Sequence, residues 1–280
     1  MPGESTPRLA VRKTYKLFIG GKFPRSESGR SYVVDNTNVA LASRKDVRDA
    51  VVAARAAVRG WSGATAYNRG QVLYRIAEML DGRREQFAAE LGGGRRALSE
   101  VDAAIDRWVW YAGWSDKIAQ VYGGANPVAG PYFNLSAPEP TGVVGVVAPA
   151  EPALLGLVSV VAPAIVTGNA VVALASETHP LPAITLAEVL ATSDLPGGVV
   201  NLLTGRVAET APWLASHMDV NAIDLAGVAD AGLATDLEVA AAENLKRVLR
   251  AGRVDWTAEP GIDRMVAFLE IKTVWHPKGV

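Results

Sequence analysis

Residues 140–174 read PTGVVGVVAPAEPALLGLVSVVAPAIVTGNAVVAL, and from Pro152 to Ser176 the chain carries no charge. A run of that length is enough to cross a bilayer. Three features read against it. Pro163 and the turn-forming Thr167-Gly168-Asn169 cut the run in two, its flanks are Glu151 and Glu177, and no Lys or Arg occurs between Lys117 and Arg206 to make a basic flank. Strands and helices buried on every side also give unbroken apolar runs. The stretch is therefore read as strand Val143–Val147, helix Ala153–Thr167 and strand Ala170–Leu174. Leu181–Leu190 is a further helix-length segment and Val199–Leu203 a third β-branched run. Three strands with two crossovers predict an α/β fold with a parallel sheet covered on both faces. A fourth strand, Ala222–Leu225, and a helix starting near Ala229 extend it.

Working outward, KLFIGGKFPRSESGRSYVV at 16–34 predicts short strands hairpinned about Gly20-Gly21 and Ser28-Gly29. Ser43 with Asp46 three residues on is an acidic form of the capping box, and Val47, Ala50, Val51, Ala54 and Val58 then share one helical face up to a stop at Gly60. Tyr67–Leu91 repeats that period through Val72, Ile76, Met79, Leu80 and Phe87. A third helix, Leu98–Gln120, carries Trp108, Trp110, Tyr111 and Trp114, read as core or interface rather than as a ligand box. Val121–Pro140 changes texture to Gly, Pro, Asn and aromatics and reads as a projecting strand pair or extended arm, and FLEIKTVW at 268–275 as an isolated terminal strand.

The 280 residues balance 28 Lys plus Arg against 29 Asp plus Glu, a net charge of -1, so the overall charge gives no draw to nucleic acid or an anionic membrane. With 49% hydrophobic and 20% charged residues the chain has the composition of a packed globular protein. Met1–Lys13 has no apolar h-region, which makes the cytoplasm the expected location. There is no cysteine, so disulfides, thiolate metal sites and every cysteine nucleophile are excluded for this chain. His179, His217 and His276 are too scattered to predict a metal site, and no G-x-S-x-G, G-x-x-x-x-G-K or H-E-x-x-H signature occurs.

LFIGGKFPRSESGR at 17–30, PTGVVGVVAP at 140–149, APAIVTGNAVV at 162–172, LPGGVVNLLTG at 195–205, NLKRV at 244–248 and KTVWHP at 272–277 occur in the order of, and resemble, phrases of the aldehyde dehydrogenase superfamily. The resemblance implies a Rossmann-like dinucleotide-binding domain with a β oligomerisation arm and with the catalytic domain absent, since little more than Leu249–Ala267 separates NLKRV from the terminal strand. The domain reading is then 1–116 for the hairpin and helices of the cofactor-type domain, 117–138 for the arm, 139–251 for the Rossmann-like sheet, 252–267 for a linker in place of the catalytic domain and 268–280 for the second oligomerisation strand. The chain is also similar to the truncated second unit of family members that carry two units in one polypeptide.

The family's chemistry needs a thiolate, an oxyanion donor, a carboxylate base and a nicotinamide to accept hydride. By resemblance, the thiolate is missing, the Asn of a phrase close to P-W-N-F-P is Glu151, and the E-L-G-G base is lost in Leu249-Arg250-Ala251-Gly252. No catalytic residue is therefore expected. NAD or NADP is the cofactor that the resemblance implies, with Pro149, Glu177, Gly205, Gly227 and Gly232 at the matching positions. The family's ribose-binding Lys is Leu174, and a Ser beside the pyrophosphate is Val228. The acids Glu139, Glu151, Glu177, Glu188 and Asp194, in a window without Lys or Arg, predict a negative field that disfavours a pyrophosphate. Fold maintenance is the reading preferred for Glu177 and the glycines.

The arm, about Lys117–Ala137 plus Phe268–His276, docks in the family on a neighbour's catalytic sheet, which this chain lacks. The expected partner is thus a full-length aldehyde dehydrogenase subunit in a hetero-oligomer, with this chain a non-catalytic pseudoenzyme. Two alternatives stand beside it: an NAD(P)-dependent oxidoreductase acting on aldehydes through another residue such as Lys246 or Ser99, and a dinucleotide-binding sensor.

Overall fold

The computed structural model describes residues 13–250, 252 and 254–279. The leader expectation for Met1–Lys13 and the position of Ala251 fall outside those residues, apart from Lys13 itself. In chain order the elements are β1 (Thr14–Tyr15), β2 (Ser31–Val34), β3 (Thr37–Ala40), α1 (Arg44–Gly63), α2 (Ala66–Asp81), α3 (Arg84–Glu90), α4 (Gly94–Trp114) and α5 (Ile118–Tyr122). Then come β4 (Gly124–Asn126), β5 (Tyr132–Pro140), β6 (Val143–Val147), α6 (Ala153–Val166), β7 (Ala170–Leu174), α7 (Leu181–Ala191), β8 (Val200–Leu203) and α8 (Val207–Ser216). The chain continues through β9 (Ala222–Asp224), α9 (Ala231–Ala242), β10 (Arg247–Leu249), α10 (Asp263–Ala267) and β11 (Leu269–Pro277).

Five parallel strands in the order β10-β9-β6-β7-β8 form the central sheet. Its two faces are sorted by strand period. Val144, Val146, Val171 and Ala173 face α6, α7, α2 and α4, whereas Val143, Val147, Val172 and Leu174 face α1, α8 and α9. The uncharged run is therefore helix α6 and strand β7 of a covered sheet, and no helix among the described residues is long and apolar enough to cross a membrane. Asn169, wholly buried in the turn after α6, explains why that turn is polar: its Oδ1 accepts from Gly142 N at 2.8 Å, and its Nδ2 donates to Thr167 Oγ1 at 2.9 Å and to Phe268 O at 3.0 Å. Asn201 does the same for the amino-terminal segment, accepting from Gly20 N at 2.9 Å, while Phe18 bridges Leu202 and covers the β8 edge.

Several local expectations need correction. Gly20-Gly21 turns the chain through a single bridge, Ile19 to Lys22, and the hairpin proper is β2–β3, closed by Asp35-Asn36 with both residues at positive φ. The helix at Tyr67–Leu91 is two helices, interrupted at Gly82-Arg83, and the aromatic helix stops at Trp114, with α5 a separate turn. α8, β10 and α10 went unread. The terminal strand is not isolated: β11 pairs antiparallel with β5 along its whole length, and β4 completes a second sheet in the order β11-β5-β4. One edge and much of both faces of this sheet meet solvent, with Phe133, Leu135, Ile271, Val274 and Trp275 exposed.

Between β10 and β11 the chain has only residues 250–268, and the described part of this segment is held down by buried cations. Arg107 on α4 donates to Trp256 O at 2.9 Å and Ala258 O at 3.0 Å, and Arg264 on α10 pairs with Asp224, which is wholly buried at the end of β9.

Candidate functional site

In an open parallel sheet the ligand crevice lies beyond the carboxyl ends of the strands, where neighbouring connections leave in opposite directions. Here that point falls between β6 and β9. A cavity of about 280 Å³ lies there, lined by Ala148, Ala175, Glu177, Val207, Gly227 and Val228 among others. Of the five cofactor positions read from the sequence, the structure brings Glu177 and Gly227 together on this cavity. Pro149 is buried against Gly156, Gly205 (φ 151°) lies against the Ala42 amide, and Gly232 is exposed beside Asp230. None of these three lines the cavity.

Glu177, Asp230 and the Gly227 amide at or beside this mouth have internal partners. Glu177 accepts from the Val207 amide at the start of α8, and its other oxygen lies 3.5 Å from the Arg206 guanidinium. Asp230 caps α9, its Oδ1 accepting from Leu233 N at 2.6 Å. The Gly227 amide donates to Val147 O at 2.8 Å, and a Cβ on Gly227 would lie 2.0 Å from Ala148 O, so this glycine is required by strand contact. Beside Arg206, the buried Tyr32 hydroxyl has no partner, and burial, followed by the charge of Glu177, pushes its phenol up to about 12.

A second cavity, about 230 Å³, is lined by Arg96, Glu100, Glu151 and His179. Glu151, at the position compared with the oxyanion-binding Asn, is exposed and lies 3.6 Å from His179 Nδ1 and 4.0 Å from Arg96. Glu100 accepts from Leu154 N at 2.9 Å and Leu155 N at 3.3 Å, the first amides of α6. Two carboxylates at this spot oppose a developing alkoxide. Of the residues weighed as substitutes, Lys246 is buried at the amino end of β10, the opposite end of the sheet, and burial holds its ammonium below the ordinary lysine range. Ser99 is exposed on α4.

The expected negative field is corrected by the fold. Lys272 lies 3.1 Å from Glu139, Arg206 beside Glu177, and Arg83 3.0 Å from Glu188, so cations from outside the window offset three of the five acids. What the sequence reading missed was Glu100, Asp230 and Arg206. Asp230 had a local signal, an Asp just before a helix, whereas Glu100 meets α6 across a separation of 54 positions and has none.

The same architecture recurs among known proteins. Residues 33–251 match the aldehyde dehydrogenase family. The chain belongs to that family. It is 34% identical over 259 residues to retinal dehydrogenase 2 of Homo sapiens, covering 87% of this chain and 49% of that one. It is 32% identical to cytosolic 10-formyltetrahydrofolate dehydrogenase of Mus musculus over 88% of this chain and 29% of that one. The NAD+ complex of aldehyde dehydrogenase from Bacillus cereus superposes with a TM-score of 0.79 at 26% identity, over 84% of this chain and 50% of that one. The chain thus spans about half the length of the first of these relatives. Against the family's NAD(P), the residues present do not fit: the carboxylate compared with the ribose ligand is bound to α8, the position beside the pyrophosphate is the hydrocarbon of Val228, and the adjoining α9 amide holds Asp230.

Proposed function

We propose that this chain is a non-catalytic member of the aldehyde dehydrogenase family that assembles with a full-length, active subunit. The observation that carries the reading is the pairing of a cysteine-free sequence with an intact, solvent-facing β11-β5-β4 sheet. Without a thiolate there is no nucleophile for the aldehyde carbon, and Glu151 opposes the charge that an oxyanion site must stabilise. A sheet with a free edge and exposed Phe133, Leu135, Val274 and Trp275 favours strand addition by another chain. A neighbour that retains a catalytic sheet supplies the complement that a second copy of this chain does not. In this reading Pro149, Glu177, Gly205, Gly227 and Gly232 maintain the fold rather than hold a cofactor.

The test is co-expression with a full-length aldehyde dehydrogenase from the same cell, followed by size-exclusion chromatography with light scattering. A hetero-oligomer of fixed stoichiometry is expected, and recovery of the chain only as a monomer counts against the reading. The purified chain mixed with NAD and short aldehydes is expected to give no NADH; sustained turnover would rule out a non-catalytic role.

A further inference from the structure

We propose that the carboxyl edge of the central sheet is closed to phosphate-bearing dinucleotides by the chain's own carboxylates, which occupy the helix amides that a pyrophosphate would use. The amino end of a helix presents unpaired N–H groups and a partial positive charge, which makes it an anion seat. Four helices begin at this edge, α6, α7, α8 and α9, and on three of them a tethered carboxylate already holds a first-turn amide. Glu100 accepts from Leu154 N and Leu155 N on α6. Glu177 accepts from Val207 N on α8, and Asp230 from Leu233 N on α9. The remaining helix, α7, starts Leu181-Pro182 after Pro180, and Pro182 removes one first-turn N–H. Glu177 stands at the β6–β9 crevice itself, Asp230 caps the adjoining α9 and Glu100 lines the neighbouring cavity, so a free pyrophosphate at the crevice has to displace Glu177 while meeting Val228 and the backbone contact at Gly227.

The closure comes from occupied amides rather than from net field, because cations offset three of the neighbouring acids. It deepens the fold-maintenance part of the proposed function and is independent of assembly and of the missing nucleophile, so its failure would leave the non-catalytic partner role standing, and loss of that role would leave the closure standing.

Two measurements on the full chain test it. Calorimetric titration with NAD, NADP and inorganic pyrophosphate is expected to show no saturable heat up to about millimolar ligand. Saturable binding of any of the three overturns the proposal. Hydrogen–deuterium exchange then separates occupied seats from a mouth that has merely decayed. In Glu100→Ala, Glu177→Ala and Asp230→Ala, the amides of Leu154 and Leu155, of Val207 and of Leu233 respectively are expected to exchange at least about fivefold faster, with distant strands unchanged. Unchanged exchange in all three variants shows that the carboxylates do not hold the amides, and it overturns the proposal.

Discussion

At the scale of single residues, the pair Asp224 and Arg264 joins the central sheet to the short segment before β11. Asp224 is wholly buried, and burial pushes its carboxyl above the usual carboxylate range while the guanidinium opposes that shift. Removing the cation strands a buried charge, so Arg264→Met is expected to cost about 3 kcal/mol in urea unfolding, and adding Asp224→Asn to recover part of it. Tyr111 sets an alkaline limit. Burial pushes its phenol up to about 12, against the ordinary value of 10.0 in the unfolded chain. The unfolded state therefore releases this proton first. Stability from Tyr111 is complete below pH 10 and falls as pH rises to about 12, and Tyr111→Phe is expected to flatten that decline in a pH series of denaturation midpoints. Glu177 shows what was legible at this scale. The local phrase marked it as a site position, but its partner, the Val207 amide, lies 30 positions away and becomes a neighbour only when β7 and β8 pair.

At the scale of elements, β6 and β7 have the bounds expected from sequence, because an apolar run ended by Gly, Pro or Asn admits little else once both faces are buried. The β2–β3 hairpin was missed since its signal, Asp35-Asn36 at positive φ, sits within four polar residues rather than at the more conspicuous Gly pairs. The division of α2 from α3 falls at Arg83, whose backbone leaves the helical region after a still-helical Gly82, and is invisible to a period count that stays in phase across it. Two predictions belong here. Gly227→Ala forces a methyl to 2.0 Å from Ala148 O and is expected to lower stability by about 3 kcal/mol through separation of β6 from the loop after β9. Asp230→Ala removes the α9 cap and is expected to cost about 1 kcal/mol, read as a lower thermal midpoint without loss of secondary structure in circular dichroism.

At the scale of the whole molecule, two of the three sheets meet at Thr141 and Asn169, one enclosed by helices and the other open to solvent. If the open sheet is the assembly surface, then Leu135→Asp with Val274→Asp, opposite one another in register on its exposed face, should abolish hetero-oligomer formation in light scattering. The isolated chain's unfolding midpoint should barely move, because the stability change from exposed substitutions stays within about 0.5 kcal/mol. Strand pattern alone marks both strands of this pair, the family resemblance groups them in one arm, and their register, Leu269 to Pro140 through Pro277 to Tyr132, needed the fold.

The side chain of Asn169 has a bearing on biosynthesis. Its amide, at the centre of the helix-covered sheet, is completed by the carbonyl of Phe268, and the Thr141 amide is completed by the same oxygen. A nascent chain that has not yet delivered Phe268 from the ribosome leaves those donors without their acceptor. That corner of the core is therefore locked only once Phe268 has docked, and its donors stay without that acceptor until then.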